Sequence, residues 1–425
     1  MITESEYKKR RERLVSSLSK NSLGIVFSGT YKTRSNDTEF PFRQNSNFYY
    51  LTGFTEDNAC LIFVKTKKKS KTILLVQKKD KTKELWTGKR LGERKAKRRF
   101  LVNEVCTYDK LSDTLKENIL EKSQMYYDFD LDYSKVKILK RYAKNLSAYK
   151  NIAKPIEAMR LLKSKAEIQL IKDALSITKE AHHKAMQFSK KTEFEYELQA
   201  EIEYIFKKNA AFSDAYTSIV ACGNAANTLH YVSNNQKLFS GDLILIDAGC
   251  EYNYYASDIT RTIPVSGKFS QAQKELYEMV LDVELSIINM IKSGVKRSKL
   301  QKKSEELLCK GMISLGILKG KPKDLIKKKA HKKYYPHGIG HWMGIDVHDQ
   351  CPYKDKKGKE IPLKEGMVMT IEPGIYIDEK DKSVPKKYRG IGIRIEDDIL
   401  VTSWGFENLS KDIAKTISEI ESFSS

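Results

Sequence analysis

The chain has 425 residues, with 77 Lys+Arg against 55 Asp+Glu and a formal net charge of +22. Its 40% apolar and 10% aromatic residues, with 22 Gly and 9 Pro, exclude collagen-like and low-complexity classes. The length exceeds the roughly 250–300 residues at which a single core stops growing, so two domains are expected.

In chain order, Glu4 to Leu18 places Tyr7, Arg11, Leu14, Val15 and Leu18 at helical spacing and predicts an amphipathic surface helix. The acids and basic cluster at its start lack the apolar stretch of a secretory signal. Short β-rich runs follow at Gly24–Phe27, Cys60–Val64 and Thr72–Val76, and helical stretches are predicted from about 110 to 149. This part reads as α/β. Pro155 interrupts the pattern, and a domain boundary is expected there, giving domains 1–155 and 156–425. Beyond it, helices are predicted at about 164–188, 193–209, 270–293 and 298–315. Strands are predicted at 242–248, 256–263, 367–371, 375–377 and 391–401. Helices first and strands later indicate an α+β domain.

The charge is uneven. Residues 1–155 hold 35 bases and 18 acids, a balance of +17, and residues 156–425 hold 42 and 37, a balance of +5. The sign permits nucleic-acid binding, but no binding motif accompanies it, so a solvated lysine-rich surface is the simpler reading and nucleic acid is not expected as a partner. Six cysteines without a C-x-x-C pair exclude a zinc ribbon, a thioredoxin-like site and a disulfide framework. A cytoplasmic setting is expected. No apolar run reaches the ~18–20 residues of a membrane span, so no membrane partner is expected.

Chemistry concentrates in the second half. Leu243–Asp247 is an apolar strand ending in a carboxylate, and Asp258 opens a second β-branched strand; a hairpin would bring the two carboxylates together, although one aspartate at a strand end is as readily a turn residue. His337, His341 and His348 place three of the seven histidines within twelve residues, among glycines that allow close backbone packing. Glu372 precedes Pro373 and is thereby held extended. From Gly390 the chain alternates, with Ile391, Ile393 and Ile395 on one face and Gly392, Arg394 and Glu396 on the other, where the glycines clear space beside the charges. Asp247, Asp258, Glu372, Glu396 and His341 together make a donor set suited to two hard divalent cations such as Mn, Mg or Zn. No H-E-x-x-H helix or G-x-S-x-G elbow is present.

At these residues the sequence resembles the aminopeptidase P branch of the pita-bread metallopeptidases, family M24. The resemblance extends over nearly the whole chain. It includes the run from Asp37 to Phe54, Leu85-Trp86-Thr87-Gly88, Met159 to Ser164, Leu229-His230-Tyr231, the segments around Asp247 and Asp258, His337 to His341, Val347-His348-Asp349, Glu372-Pro373-Gly374 and Gly390 to Asp398. It implies an α/β first domain with a mixed sheet, of the creatinase/ribonuclease H-like kind, followed by a pita-bread α+β catalytic domain.

The resemblance further implies that Asp247, Asp258, His341, Glu372 and Glu396 hold two divalent metal ions, manganese in this branch. His230 and His348 match substrate-side histidines, His337 and Arg394 match residues lining the pocket for the second-position proline, and Trp86 matches an aromatic lent by a neighbouring subunit. Implied partners are therefore peptides with proline at the second position, and other copies of the chain in a homodimer or homotetramer. The implied reaction is hydrolysis of the bond between an N-terminal residue and that proline by a hydroxide bridging the metals. In it Glu372 shuttles the proton, His348 stabilises the tetrahedral oxyanion and His230 holds the substrate. Two departures from the family pattern stand out: a strongly basic Lys354 to Glu360 segment, and a changed Ala221 to Thr228 segment before His230. Prolidase, limited to dipeptides, carries the same ligands; a non-catalytic binder of nucleic acid or protein would use the basic first domain but has no need of the ligands.

Overall fold

In the computed structural model, which describes residues 1–119, 123–143 and 146–423, Thr3 caps the first helix by accepting a hydrogen bond from the Glu6 backbone N–H. That helix, Glu4–Ser17, buries Tyr7, Arg10, Arg11, Leu14 and Val15, the stripe its spacing predicts. A six-stranded mixed sheet follows, in the order Glu104–Thr107, Ser70–Val76, Cys60–Lys65, Ser22–Phe27, Gln124–Tyr127, Ala148–Asn151. The three apolar runs form its antiparallel centre, and the outer strands add in parallel on both sides. Leu23, Ile25, Phe27, Ile62, Val64, Ile73 and Leu75 pack one core with Leu111 and Leu115.

The span from 110 to 149 departs from the helical expectation. Leu111–Asn118 and Tyr133–Tyr142 are helices, but Gln124–Tyr127 and Ala148–Asn151 are strands. Each is four residues long without apolar alternation, and becomes a strand by pairing in parallel with a partner distant or non-adjacent in sequence. Residues 120–122 and 144–145 of that span lie outside the described residues.

The chain divides into two compact units, Met1–Arg160 and Leu161–Ser425. Pro155 lies within the helix Ala153–Arg160, in its first turn, where the missing N–H removes no helical hydrogen bond. In the second unit Ser164 and Glu167 form a capping box that starts the helix Lys165–Phe188. Helices Glu195–Lys208, Gln271–Ile288 and Arg297–Ser314 follow, at the predicted places. Ile219–Cys222, Leu243–Asp247 and Thr260–Pro264 form one antiparallel sheet; Val368–Ile371, Asp397–Val401 and Phe406–Asn408 form another; Gly374–Tyr376 pairs with Gly392–Arg394. Helices and sheets share one core that includes Leu198, Ile246, Leu276, Leu308, Trp342, Met369 and Ile393.

The run 391–401, expected as one strand, is two. Ile395 N–H donates to Pro373 O at 3.3 Å, whereas Glu396 N–H donates to Thr260 O at 3.1 Å, so the chain changes partner strand at Glu396. That switch carries the Glu396 carboxyl toward the strand that starts beside Asp258.

Candidate metal centre

Register sets the first pair of carboxylates. Asp247 lies opposite Thr260 in the antiparallel ladder, and Ala248 N–H donates to Ile259 O at 3.0 Å. The hairpin closes only because residue 249 is glycine: a Cβ there would lie 1.9 Å from Ser257 O. Asp258 is held further by its backbone N–H, which donates to Asp398 Oδ2 at 3.1 Å.

The histidine segment packs beside the strand that leads to Glu372. Thr370 N–H donates to His341 O at 3.0 Å and Glu372 N–H donates to Ile339 O at 2.9 Å. Gly340 makes this approach possible, since a Cβ there would lie 1.9 Å from Thr370 O. His341 Nδ1 is 3.1 Å from Trp342 O, a carbonyl that can only accept, so Nδ1 carries a proton and Nε2 is the ring nitrogen turned toward the acids. That Nε2 is 3.3 Å from Asp258 Oδ2 and 3.9 Å from Glu372 Oε1. Ligand atoms of Asp258, His341 and Glu396 all lie within 4.8 Å of one another.

Asp247 and Glu372 are not among those three, and the Asp247 carboxylate is engaged by two other donors. Tyr216 donates its hydroxyl to Oδ1 at 2.6 Å, and Arg394 Nη2 donates to Oδ2 at 2.6 Å. Arg394 also donates from Nε to Thr260 Oγ1 at 3.1 Å and from Nη1 to the Tyr376 hydroxyl at 2.9 Å, while Thr260 donates to Glu396 Oε2 at 2.7 Å. Tyr376 in turn lies 2.8 Å from His337 Nε2, and His337 Nδ1 lies 2.8 Å from Gly338 O. A continuous relay thus runs Asp247, Arg394, Tyr376, His337. The face of Arg394 and Glu396, expected to be polar with cleared space, is buried, and Gly392 admits the backbone of Ala226, which a Cβ would meet at 2.8 Å. The space is filled by the segment that leads to His230.

Electrostatics follow from crowding. Burial pushes the Glu396 carboxyl well above its ordinary range, and the charges of Asp258, Glu372 and Asp247 add to the effect. Burial also raises Glu372, to about 7, against the pull of His341 and Arg394. For Asp247 burial outweighs the Arg394 charge, again raising the carboxyl. Burial opposes protonation of His341, yet the hydrogen bond and charge of Asp258, with Glu372, carry it to about 9. His337 is lowered to about 3 by burial and the Arg394 charge and is neutral. Acids that repel one another this strongly, with one imidazole nitrogen turned toward them, match the oxygen-rich donor set of a hard or borderline divalent cation, which would relieve the repulsion. The residues present therefore fit a metal.

His348 and His230 are both exposed, and the His348 ring meets His341 edge-on at 4.2 Å. Trp86, in the first unit, is 83% exposed. Two participants went unrecognised in the sequence, Tyr216 and Tyr376. Tyr216 stands three residues before Ile219, the residue opposite Asp247 in the ladder, and Tyr376 follows Gly374, the residue opposite Arg394. Only the register between strands distant in sequence singles them out. The basic segment folds as a hairpin closed by the Lys354–Glu360 bridge, with Lys354, Lys356, Lys357 and Lys359 exposed.

Fold and site together define a metal-dependent hydrolase. The chain belongs to metallopeptidase family M24, which residues 169–403 match, and residues 7–127 match the aminopeptidase P N-terminal domain. It is 40% identical to the Xaa-Pro aminopeptidase of Haemophilus influenzae, over 99% of this chain and 97% of that one. It is 36% identical to human Xaa-Pro aminopeptidase 3, over 99% and 86%. The structure superposes on zinc-substituted Escherichia coli aminopeptidase P in complex with product at a TM-score of 0.95 and 36% identity, over 99% and 98% of the chains. It superposes on proline aminopeptidase P II from Yersinia pestis at 0.94 and 37%, over 99% of each. The α/β first domain and pita-bread second domain are those of the family, which is one of metallopeptidases. Among the described residues no helix is long and apolar enough to cross a membrane.

Proposed function

We propose that the chain is an Xaa-Pro aminopeptidase that removes the N-terminal residue from peptides whose second residue is proline. The observation that carries this reading is the convergence of Asp258, His341 and Glu396 within 4.8 Å, with Asp247 and Glu372 beside them, in a chain of family M24. Asp247, Asp258, His341, Glu372 and Glu396 would hold two divalent ions, manganese in this reading, which when bound would supply an ionised water at neutral pH and Lewis-acid stabilisation of the scissile carbonyl.

The remaining work belongs to the chain's own groups. Glu372, whose carboxylate lies 3.9 Å from His341 Nε2, accepts the proton of the attacking water and delivers it to the departing proline nitrogen. His348, on the open side of His341, donates a hydrogen bond to the oxygen that becomes tetrahedral, and His230 holds the substrate backbone. His337 and Arg394, locked together through Tyr376, wall the pocket for the proline ring, which offers no N–H and is selected by shape. The exposed Trp86 is supplied to the site of a second copy, in a homodimer or homotetramer. Six cysteines that form no disulfide among the described residues support a cytoplasmic, reducing setting.

The test is release of the N-terminal residue from Arg-Pro-Pro, with an Arg-Pro dipeptide and Arg-Ala-Pro alongside. Cleavage of the tripeptide and not of Arg-Ala-Pro is expected. Cleavage of the dipeptide alone would make the protein a prolidase, and no cleavage by folded, metal-supplied protein would overturn the enzymatic reading.

A further inference from the structure

His348 takes its place from the residues around it. It sits on a loop without strand or helix, exposed, between Trp342 and the basic hairpin. The residue that follows it, Asp349, is buried, and its Oδ2 accepts a hydrogen bond from Lys163 Nζ at 2.9 Å, with each side chain 1% exposed. Lys163 immediately precedes the Ser164 cap of the helix Lys165–Phe188, and its backbone N–H donates to Gly366 O at 2.8 Å. It is thus fixed at both ends.

Three further contacts bind the loop to this pair. Asp349 N–H donates to Trp342 O at 2.8 Å, closing residues 342–349 into a loop with His341 at its entrance and His348 beside its exit. Cys351 Sγ donates to the same Asp349 Oδ2 at 3.3 Å. Gly344 makes room for the pair, because a Cβ there would lie 2.6 Å from Asp349 Oδ2 and 2.8 Å from Lys163 Cε, and its carbonyl accepts from Ala256 N–H at 2.9 Å.

A buried ion pair of this kind adds little to stability over an apolar pair of the same size, since the Coulombic gain repays desolvation only where the geometry is good. From these contacts we infer that Lys163 and Asp349 are a positioning pair, which anchors the His348 backbone to the start of a long helix so that the His348 ring stands edge-on to His341 at the substrate side. Neither touches substrate. The inference rests on the role proposed for His348.

The test compares wild type, Asp349→Glu and the apolar double variant Lys163→Met/Asp349→Leu, each also in a His348→Ala background. Melting temperature, bound metal per chain, and kcat and KM on Arg-Pro-Pro are measured. Expected is a double variant that melts and binds metal as wild type does, with kcat lowered about 100-fold, the scale of an ångström-sized misplacement, and KM changed by no more than about threefold. In the His348→Ala background the same replacement lowers kcat no further, because the pair acts through that residue. Asp349→Glu keeps the charge, lengthens the tether and lowers kcat in the same sense, which serves if the double variant does not fold. A kcat per folded, metal-loaded chain within about twofold of wild type in either variant, or an undiminished loss in the His348→Ala background, would overturn the inference. A wild type inactive on Arg-Pro-Pro would overturn the functional reading beneath it instead.

Discussion

Arg394 and Asp247 face each other in the core of the catalytic unit, Nη2 to Oδ2 at 2.6 Å, with 5% and 13% of their side chains exposed. The same guanidinium reaches Thr260 and Tyr376, so one rigid fork ties a proposed metal ligand to the proposed proline pocket. A lysine offers a single point of charge and cannot span the three acceptors. Arg394→Lys is expected to lower kcat/KM on Arg-Pro-Pro by about 100-fold while the protein stays folded. Steady-state kinetics with circular dichroism check this, and a loss under about threefold would contradict it.

Metal removal has a pH signature. Glu372 is raised to about 7 from an ordinary 4.5, and Glu396 and Asp247 are also raised, mainly by burial. An acid whose folded pKa is raised binds more protons when folded, so its contribution is fully present below about 4.5 and is lost as pH rises through about 7. EDTA-treated protein is therefore expected to gain from this site on acidification from pH 8 to pH 5. The gain in melting temperature on adding metal should be larger at pH 8 than at pH 5, as calorimetry would show; an equal gain at both would count against a mutually repelling carboxylate cluster.

His182 works in the opposite direction. Its ring is 1% exposed, with Nε2 2.9 Å from Ala248 O, and burial lowers its pKa from 6.5 to about 3. Between those values the unfolded chain binds the proton and the folded one does not, so stability is present above about 6.5 and is lost as pH falls toward 3. The stability gap between wild type and His182→Gln should narrow by about 2 kcal/mol from pH 7.5 to pH 5. Urea unfolding at the two values measures it, and a pH-independent gap would contradict the assignment.

Gly249 tests the hairpin that joins the two aspartates. With Ser257 O at 1.9 Å from any Cβ, Gly249→Ala must displace backbone on one side or the other. A loss of about 3 kcal/mol or more is expected in equilibrium unfolding, together with weakened metal binding. A variant within about 0.5 kcal/mol of wild type would show that the two strands tolerate a wider hairpin.

Much of this was legible in the sequence because it is local. Periodicity places the long helices between Lys165 and Ser314, though the one expected over 270–293 stops at Ile288. Asp247 is visible as the end of an apolar run, whereas Asp258, expected within one strand over 256–263, lies between the strands Tyr255–Ala256 and Thr260–Pro264. The strands Gln124–Tyr127 and Ala148–Asn151 were not visible, since parallel pairing with another strand, and no pattern of their own, makes them strands. The change of partner at Glu396 was hidden for a related reason. Alternation through Ile391, Ile393 and Ile395 continues across a point where the hydrogen-bond partner changes. Tyr216 and Tyr376 escaped because a tyrosine in isolation points to nothing; cross-strand register turns them into ligands of Asp247, Arg394 and His337.

The proposed function stands on Asp247, Asp258, His341, Glu372 and Glu396 together holding the metal needed to hydrolyse the bond before proline. It is tested most directly by titrating EDTA-stripped protein with Mn²⁺ while following both bound metal and release of arginine from Arg-Pro-Pro. Activity should be absent at the start, return with metal and level off at two ions per chain, and fail to return in Asp258→Asn. Hydrolysis that survives stripping, or folded protein that takes up two ions and cleaves nothing, would contradict the account.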